Sequence, residues 1–566
     1  MGRDLLILTL LVGMLFGFKL GERALWSPDE GRYSEIPREM VVSGDYLTPR
    51  LNGVKYFEKP PLFYWLQSAS IKLFGLSEWS LRLWPALFGL FGCLIVYVAA
   101  SRLFGRGAGL ISSVVLATCG LYYGMGRVIS LDMSLSVLLT CALLAFLLGT
   151  REPVGVQHRL AMWAFFAFAA LATLTKGLIG IVIPGLVIGS WIVLLGEWSI
   201  LKTIYLPSGL LLFLLIAGPW HILVSQANPE FIDFYFVREH FQRYLAKHHS
   251  PFHEPWYFIP VLLLGFFPWT AFLVQAIKHN LAFRWDQRHR HREAIFLVLW
   301  ASWVFLFFTA SSSKLVPYIL PMFPPLAILM GRYLSAAWDG HDGKGIQAGY
   351  WILLGANFIL ALAGLTVAPH YLENFSDLAR WTPYVYALIT ILVFGGAATV
   401  VLGRTQGFSW GFSSLTLTSV LFLLVSNSSV SLLDQYRSVK DLASALKSQL
   451  QAEDEVASYQ TFYQDLPVYL QRRITVVNWK GELSFGAEIE DVSSWMIDDV
   501  TFWQRWNSSG VVYMLTSKKR YDKLRADSGQ KFYLVAQTPY FVLLSNKSRS
   551  GDHSFNRILQ VQAPSQ

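Results

Sequence analysis

Two short blocks near the N-terminus concentrate ionisable residues in an otherwise apolar chain: WSPDEGRY at 26–33 and YFEKPP at 56–61. They supply Asp29, Glu30, Arg32, Glu58 and Lys59, and Glu35, Arg38 and Glu39 lie between them. More charges stand at the ends of later apolar runs: Arg127 and Asp132 in GRVISLDMS, Lys176 in LTKG, Arg243 in REHFQRY and Lys314 in SSSKLVPY. Ionisable groups at membrane depth are costly and point to function. Snorkelling to the surface accounts for any one of them, but less well for acids and bases arriving from several loops on one side. Lys, Arg and Tyr donors at an apolar boundary suit a phosphate with an apolar tail. Carboxylates opposite them can act as bases or orient a nucleophile.

The elements that must hold these residues are membrane spans. The chain has 566 residues, 54% hydrophobic and only 15% charged, an apolar excess beyond that of soluble domains. A helix needs about 20 apolar residues to cross a bilayer. Such segments centre near 5–21, 80–99, 107–125, 131–149, 160–176, 178–195, 203–223, 257–277, 294–310, 317–334, 347–368, 382–402 and 409–430, which predicts about thirteen spans. The first is followed by GERALW, without a small-x-small cleavage pattern, and is expected to stay as an anchor. The net charge of +9 is spread over short loops between apolar segments, which suits membrane topology better than a nucleic-acid surface, and no nucleic-acid partner is expected. The three cysteines, Cys93, Cys119 and Cys141, lie in apolar runs and suggest neither disulfides nor a metal site.

Lysines and arginines in short loops set the orientation. KHNLAFRWDQRHRHRE at 278–293 carries Lys278, Arg284, Arg288, Arg290 and Arg292, which places it and the N-terminus in the cytoplasm. The same parity puts 23–79, 224–256, 311–316 and everything after 431 on the opposite side, which in a bacterium would be the periplasm. Residues 1–430 are therefore expected to form a transmembrane domain whose long non-cytoplasmic loops, 23–79 and 224–256, carry the candidate site. Residues 431–566 are expected to form a soluble α/β domain, since RITVVNW, GVVYMLT and KFYLVAQ resemble strands and SVKDLASALKSQL and KKRYDKLRA resemble helices.

SPDE fits a helix start, with Ser27 as cap, Pro28 at the first helical position and Glu30 completing a capping box. Asp29 and Glu30 would also favour the positive end of the helix dipole. Both acids thus have a structural reading beside the chemical one. Tyr33, Ile36 and Met40 recur at helical spacing and predict a face lying down at the membrane interface. Pro37 predicts a kink and Gly44 a C-cap.

DEGRYSEIPREMVVSGDYLTPRLNGVKYFEKPPLFYW, followed in order by SLDMS, LTKGLIG, REHFQRY and SSSKLVPYILP, resembles the bacterial aminoarabinose transferases that modify lipid A. The resemblance covers about the first 330 residues. It implies a polytopic glycosyltransferase of C-type fold that takes a sugar from a polyprenyl phosphate on the non-cytoplasmic face. The implied donor is undecaprenyl phosphate 4-amino-4-deoxy-L-arabinose, and the implied acceptor is a lipid A phosphate in the bacterial inner membrane. On this resemblance Lys59, Arg243 and Tyr318 stabilise the departing phosphate, supported by Arg32, Tyr56 and Lys314. Asp29 is the main catalytic carboxylate and Asp132 the second. Glu58 contacts the sugar amine or a divalent cation, no essential metal or other cofactor is expected, and Glu30, Tyr33 and Lys176 support the site. His248 and His249 are expected at the interface, without a clear ligand motif.

Two other readings compete. The same fold and donor can serve another acceptor: a glycolipid, an O-antigen unit or a protein Ser/Thr, because fold does not fix an acceptor. A lipid transporter would also need many spans and buried charges. Such proteins often carry inverted repeats and broken midplane helices, and the sequence has no internal symmetry of that kind.

Overall fold

Every apolar segment of the sequence folds as helix in the computed structural model, which describes residues 1–242, 254–341, 343–372, 378–527 and 529–548. Among the described residues nine helices are long and apolar enough to cross a membrane, or ten if a bent pair is one span. A count of thirteen is not confirmed. The other three segments give shorter helices, Gly2–Gly17, Arg106–Thr118 and Ile179–Leu195. The bent pair, Phe258–Gly265 and Trp269–Asn280, turns through 102°. Pro268 lies at the break and offers no N–H to continue a helix.

The chain divides into two compact units. The first comprises Met1–Leu20, Glu58–Phe63 and Arg82–Ser429. Its most enclosed spans are Leu131–Gly149 and Val316–Trp338, whereas Leu206–Ala227, Gly343–Val367 and Arg380–Thr405 expose most of their apolar surface, as lipid-facing helices do. Polar groups in this unit tie helix ends together. Asp4 accepts from Tyr97 (2.8 Å) and from two nitrogens of Arg106 (both 2.7 Å). Arg127 donates to the Phe16 carbonyl (2.6 Å), the Phe18 carbonyl and Asn427 Oδ1 (2.9 Å). Arg127 thus satisfies the open end of the first helix, a structural role that its place beside Asp132 did not suggest.

The second unit gathers Gly21–Phe57, Tyr64–Leu81 and the chain from Val430 onward. The first two stretches are ones that the sequence assigned to the transmembrane domain. A hairpin, β1 (Arg50–Leu51) and β2 (Val54–Lys55), closes over Asn52 and Gly53, both with positive φ, as a two-residue turn requires. The sheet consists of β3 (Glu455–Tyr459), β4 (Thr475–Val477), β5 (Met496–Ile497), β6 (Val512–Ser517), β7 (Tyr533–Gln537) and β8 (Phe541–Ser545), in the order β5-β4-β3-β6-β8-β7. Strands β5, β4, β3 and β6 run parallel, and β8 pairs antiparallel with both β6 and β7. β6 is buried along its whole length, which explains the unbroken apolar run VVYML. The predicted helices appear as Lys440–Lys447 and Lys518–Asp527.

The hairpin tip docks on the sheet of the same unit. Asn52 Nδ2 donates to the Ile474 carbonyl and Asn52 Oδ1 accepts from the Ile474 N–H, both at 2.9 Å. Glu490 accepts from Arg50 (3.0 Å) and from the Lys55 N–H (3.0 Å). Residues more than 400 positions apart therefore complete one another's hydrogen bonding.

Candidate functional site

In the first unit the span Leu131–Gly149 opens on Ser130, whose hydroxyl accepts from the Asp132 N–H at 3.2 Å. This cap fixes Asp132 in the first turn. Lys176 ends the helix Val156–Lys176 and forms an ion pair with Asp132. The Lys176 ammonium also lies 4.5 Å from the centre of the Tyr318 ring, within cation–π range. Three expected site residues from three elements thus meet. Lys59 Nζ donates to the Glu58 carbonyl at 2.8 Å and stands 3.7 Å from Glu239 Oε2. Glu58 is half-buried and Lys314 buried. Arg243, His248 and His249 lie outside the described residues. Among the described residues no three His, Cys, Asp or Glu side chains converge as they would around a metal ion.

In the second unit the helix Asp29–Ser43 carries the first block. It does not begin as the sequence predicted. Asp29 is its first residue, Pro28 precedes it, and no side chain caps it. The Ser27 hydroxyl is committed elsewhere: it donates to Asp465 Oδ1 at 2.5 Å. Glu30 reaches back as a capping-box acid would, but to the Trp26 N–H (3.1 Å), and it accepts from Arg23 at 2.7 Å. The Tyr33–Ile36–Met40 face is buried in protein rather than laid on lipid, with Tyr33 against the Tyr64 ring. Pro37 sits inside a continuous helix, and Gly44 ends it in the left-handed conformation.

Around that first turn Arg32 is the hub. Its Nη1 donates to the Tyr56 hydroxyl (3.1 Å), its Nη2 to Asp29 (3.2 Å), and its Nε faces Glu482 (3.0 Å). Tyr56 is buried, and the Asp29 carboxylate is 58% exposed. A fixed guanidinium beside an exposed carboxylate can bind an anion and orient a reacting group at the same edge. The chain passes between the units at Phe57 and Glu58, so YFEKPP contributes Tyr56 to one and Glu58 and Lys59 to the other. The sequence did not single out Glu239, Gln464, Asp465 or Glu482. Glu239 was within reach, since it lies in the quoted REHFQRY; the other three carry no motif.

Residues 4–235 match the family of dolichyl-phosphate-mannose-protein mannosyltransferases, and residues 442–546 match the aminoarabinose transferase C-terminal domain. The undecaprenyl phosphate-alpha-4-amino-4-deoxy-L-arabinose arabinosyl transferase of Pectobacterium carotovorum subsp. carotovorum is 30% identical over 515 residues, spanning 88% of this chain and 89% of that one. The chain belongs to the aminoarabinose transferase family. Another member, from Proteus mirabilis, is 31% identical over 74% of this chain and 75% of its own. The crystal structure of ArnT from Cupriavidus metallidurans bound to undecaprenyl phosphate superposes with a TM-score of 0.84 at 30% identity, covering 96% of this chain and 98% of that one. Its apo form gives 0.82. Membership of the aminoarabinose transferase family makes this chain a multi-pass membrane glycosyltransferase with a C-terminal sheet domain.

Proposed function

We propose that this protein transfers 4-amino-4-deoxy-L-arabinose from undecaprenyl phosphate to a lipid A phosphate at the periplasmic face of the bacterial inner membrane. The observation that carries the donor is the match along 96% of the chain to an ArnT structure holding undecaprenyl phosphate. In this reading residues 1–430 bring the donor to the reacting loops, and 431–566 lie in the periplasm.

The reaction forms a bond from an acceptor phosphate oxygen to the anomeric carbon and breaks the bond from that carbon to the lipid phosphate. Undecaprenyl phosphate departs with the electron pair. Negative charge grows on the departing oxygen, and preorganised donors there lower the barrier. Lys59, Arg243 and Tyr318 take this role, with Arg32, Tyr56 and Lys314 in support. An acceptor phosphate is already ionised and needs no general base. Asp29 accordingly orients it or stabilises positive charge at the anomeric carbon. Asp132 holds Lys176, and Glu58 meets the sugar amine. The product carries an ammonium group beside its phosphate, so the lipid surface loses net negative charge and attracts polycations less.

A second reading, transfer to a protein hydroxyl, rests on the match of residues 4–235 to the protein mannosyltransferase family. Mass spectrometry of lipid A from cells with and without the protein separates the two. Aminoarabinose on a lipid A phosphate only when the protein is present supports the first. Unchanged lipid A with newly glycosylated protein overturns it.

A further inference from the structure

We propose that Glu482 and Asp465 of the C-terminal segment are positioning residues for this reaction. Glu482 orients the Arg32 guanidinium toward Asp29 and Tyr56, and Asp465 fixes the start of the helix that carries Asp29 and Arg32. The inference rests on the transfer reaction proposed above and adds to it a role for the C-terminal segment.

Three attachments within the second unit carry the argument. Glu482 uses both oxygens: Oε1 accepts from Gln464 Nε2 at 2.8 Å and Oε2 faces Arg32 Nε at 3.0 Å. Its side chain is 13% exposed and that of Arg32 is 14% exposed. The Nε contact is an ion pair without hydrogen-bond geometry, so Glu482 holds the guanidinium by charge while its two Nη groups donate to Tyr56 and Asp29. Glu482 also supplies the buried counter-charge of Arg32. The Asp29 carboxylate, more exposed and 3.2 Å away, is then not consumed by that role. Asp465 is fully buried and accepts from Ser27 Oγ (2.5 Å), Ser438 Oγ (2.9 Å) and the Val439 N–H (2.8 Å). Between these two anchors lies Gly31. A Cβ there would stand 2.4 Å from the Asp465 nitrogen and 2.5 Å from the Gln464 carbonyl carbon. The glycine of DEGRY is therefore where the helix backbone meets the Gln464–Asp465 peptide, and adjacent residues of one turn hold both edges of the reacting loop.

The test uses the purified full-length chain in detergent with undecaprenyl phosphate aminoarabinose and lipid A, reading kcat, donor KM and thermal unfolding. Turnover by the wild type checks the proposed reaction, and the ratio of variant to wild type checks the positioning role. Glu482→Ala is expected to lower kcat by about 10- to 100-fold, as small misplacements of reacting groups do, with donor KM and unfolding temperature little changed. Glu482→Gln keeps the shape and is expected to recover part of the rate. In an Arg32→Ala background Glu482→Ala should cost nothing further, because it acts through Arg32. An equal loss in both backgrounds overturns the proposal, as does wild-type kcat in folded Glu482→Ala. Should Glu482→Ala not fold, Glu482→Gln decides: a folded variant with wild-type kcat also overturns it. Asp465→Asn is expected to lower kcat without changing donor KM, and full activity would remove Asp465 from the proposal.

Discussion

Asp29 and Glu30 adjoin in sequence yet sit in opposite surroundings. The Asp29 carboxylate is 58% exposed at the edge of the Arg32 network, while Glu30 is buried against Arg23 and the Trp26 N–H. Their isosteric amides should therefore fail differently. Asp29→Asn is expected to keep its unfolding temperature and donor affinity and to lose nearly all turnover. Glu30→Gln is expected to lose about 1–3 kcal/mol of stability, the cost of weakening a buried charged hydrogen bond, with a smaller effect on rate. Thermal unfolding beside a transfer assay checks both, and wild-type turnover in Asp29→Asn would move the carboxylate role to Asp132. Lys59→Ala, removing a cation proposed to meet the leaving phosphate, should cost about 10²-fold or more in kcat. Full activity in that variant would mean that Lys59 is structural. At this scale the sequence named Asp132 and Lys176 separately. It could not show that Asp132 and Lys176 are one pair, because their 44-residue separation carries no local signal.

The helix Asp29–Ser43 shows what element-level reading captures and misses. Its extent and its Gly44 cap follow from composition and local rules. Its start does not, because the hydroxyl that a local rule assigns to capping is taken by Asp465, 438 positions away. The buried side of this helix also holds an unusual charge group. Arg38 donates to both oxygens of Glu35 at 2.5 and 2.6 Å, and Glu39 accepts from the Gly53 N–H at 3.0 Å. Burial, and then the nearby Glu35 charge, push the Glu39 carboxyl up from 4.5 to about 8. The folded chain therefore binds a proton that the unfolded chain has released between those values, so stability falls as pH rises from about 4.5 to about 8. Burial raises Asp465 to about 6, which adds a fall at the acid end of that range. Unfolding temperatures measured from pH 5 to 9 should decline for the wild type and decline less for Glu39→Gln. Parallel curves would mean that Glu39 is ionised throughout.

For the whole molecule, the order of apolar segments and the bias of basic loops specify a chain that crosses the membrane many times. In the proposed topology a cysteine at position 288 should escape labelling from outside intact spheroplasts and one at 460 should react; the reverse would move every site residue to the other face. Hydropathy did not reveal that segment 257–277 turns through 102°, since its composition reads as one span. Nor did it reveal that Gly21–Phe57 shares a unit with the C-terminal sheet, a matter of specific side-chain pairs rather than composition. That discontinuity has a consequence for biogenesis. The loop bearing Asp29 emerges from the ribosome early, but Asp465, Glu482 and the strand end that receives Asn52 follow roughly 400 residues later. At about 5–20 residues per second the nascent loop waits about 20–80 s for its partners. During that interval Arg32 and Arg50 lack their native partners Glu482 and Glu490. A chain truncated before Val430 should remain in that state, with trypsin cutting at Arg32 or Arg38 where the full-length protein resists. Equal protection of the two chains would show that the loop folds without its distant half.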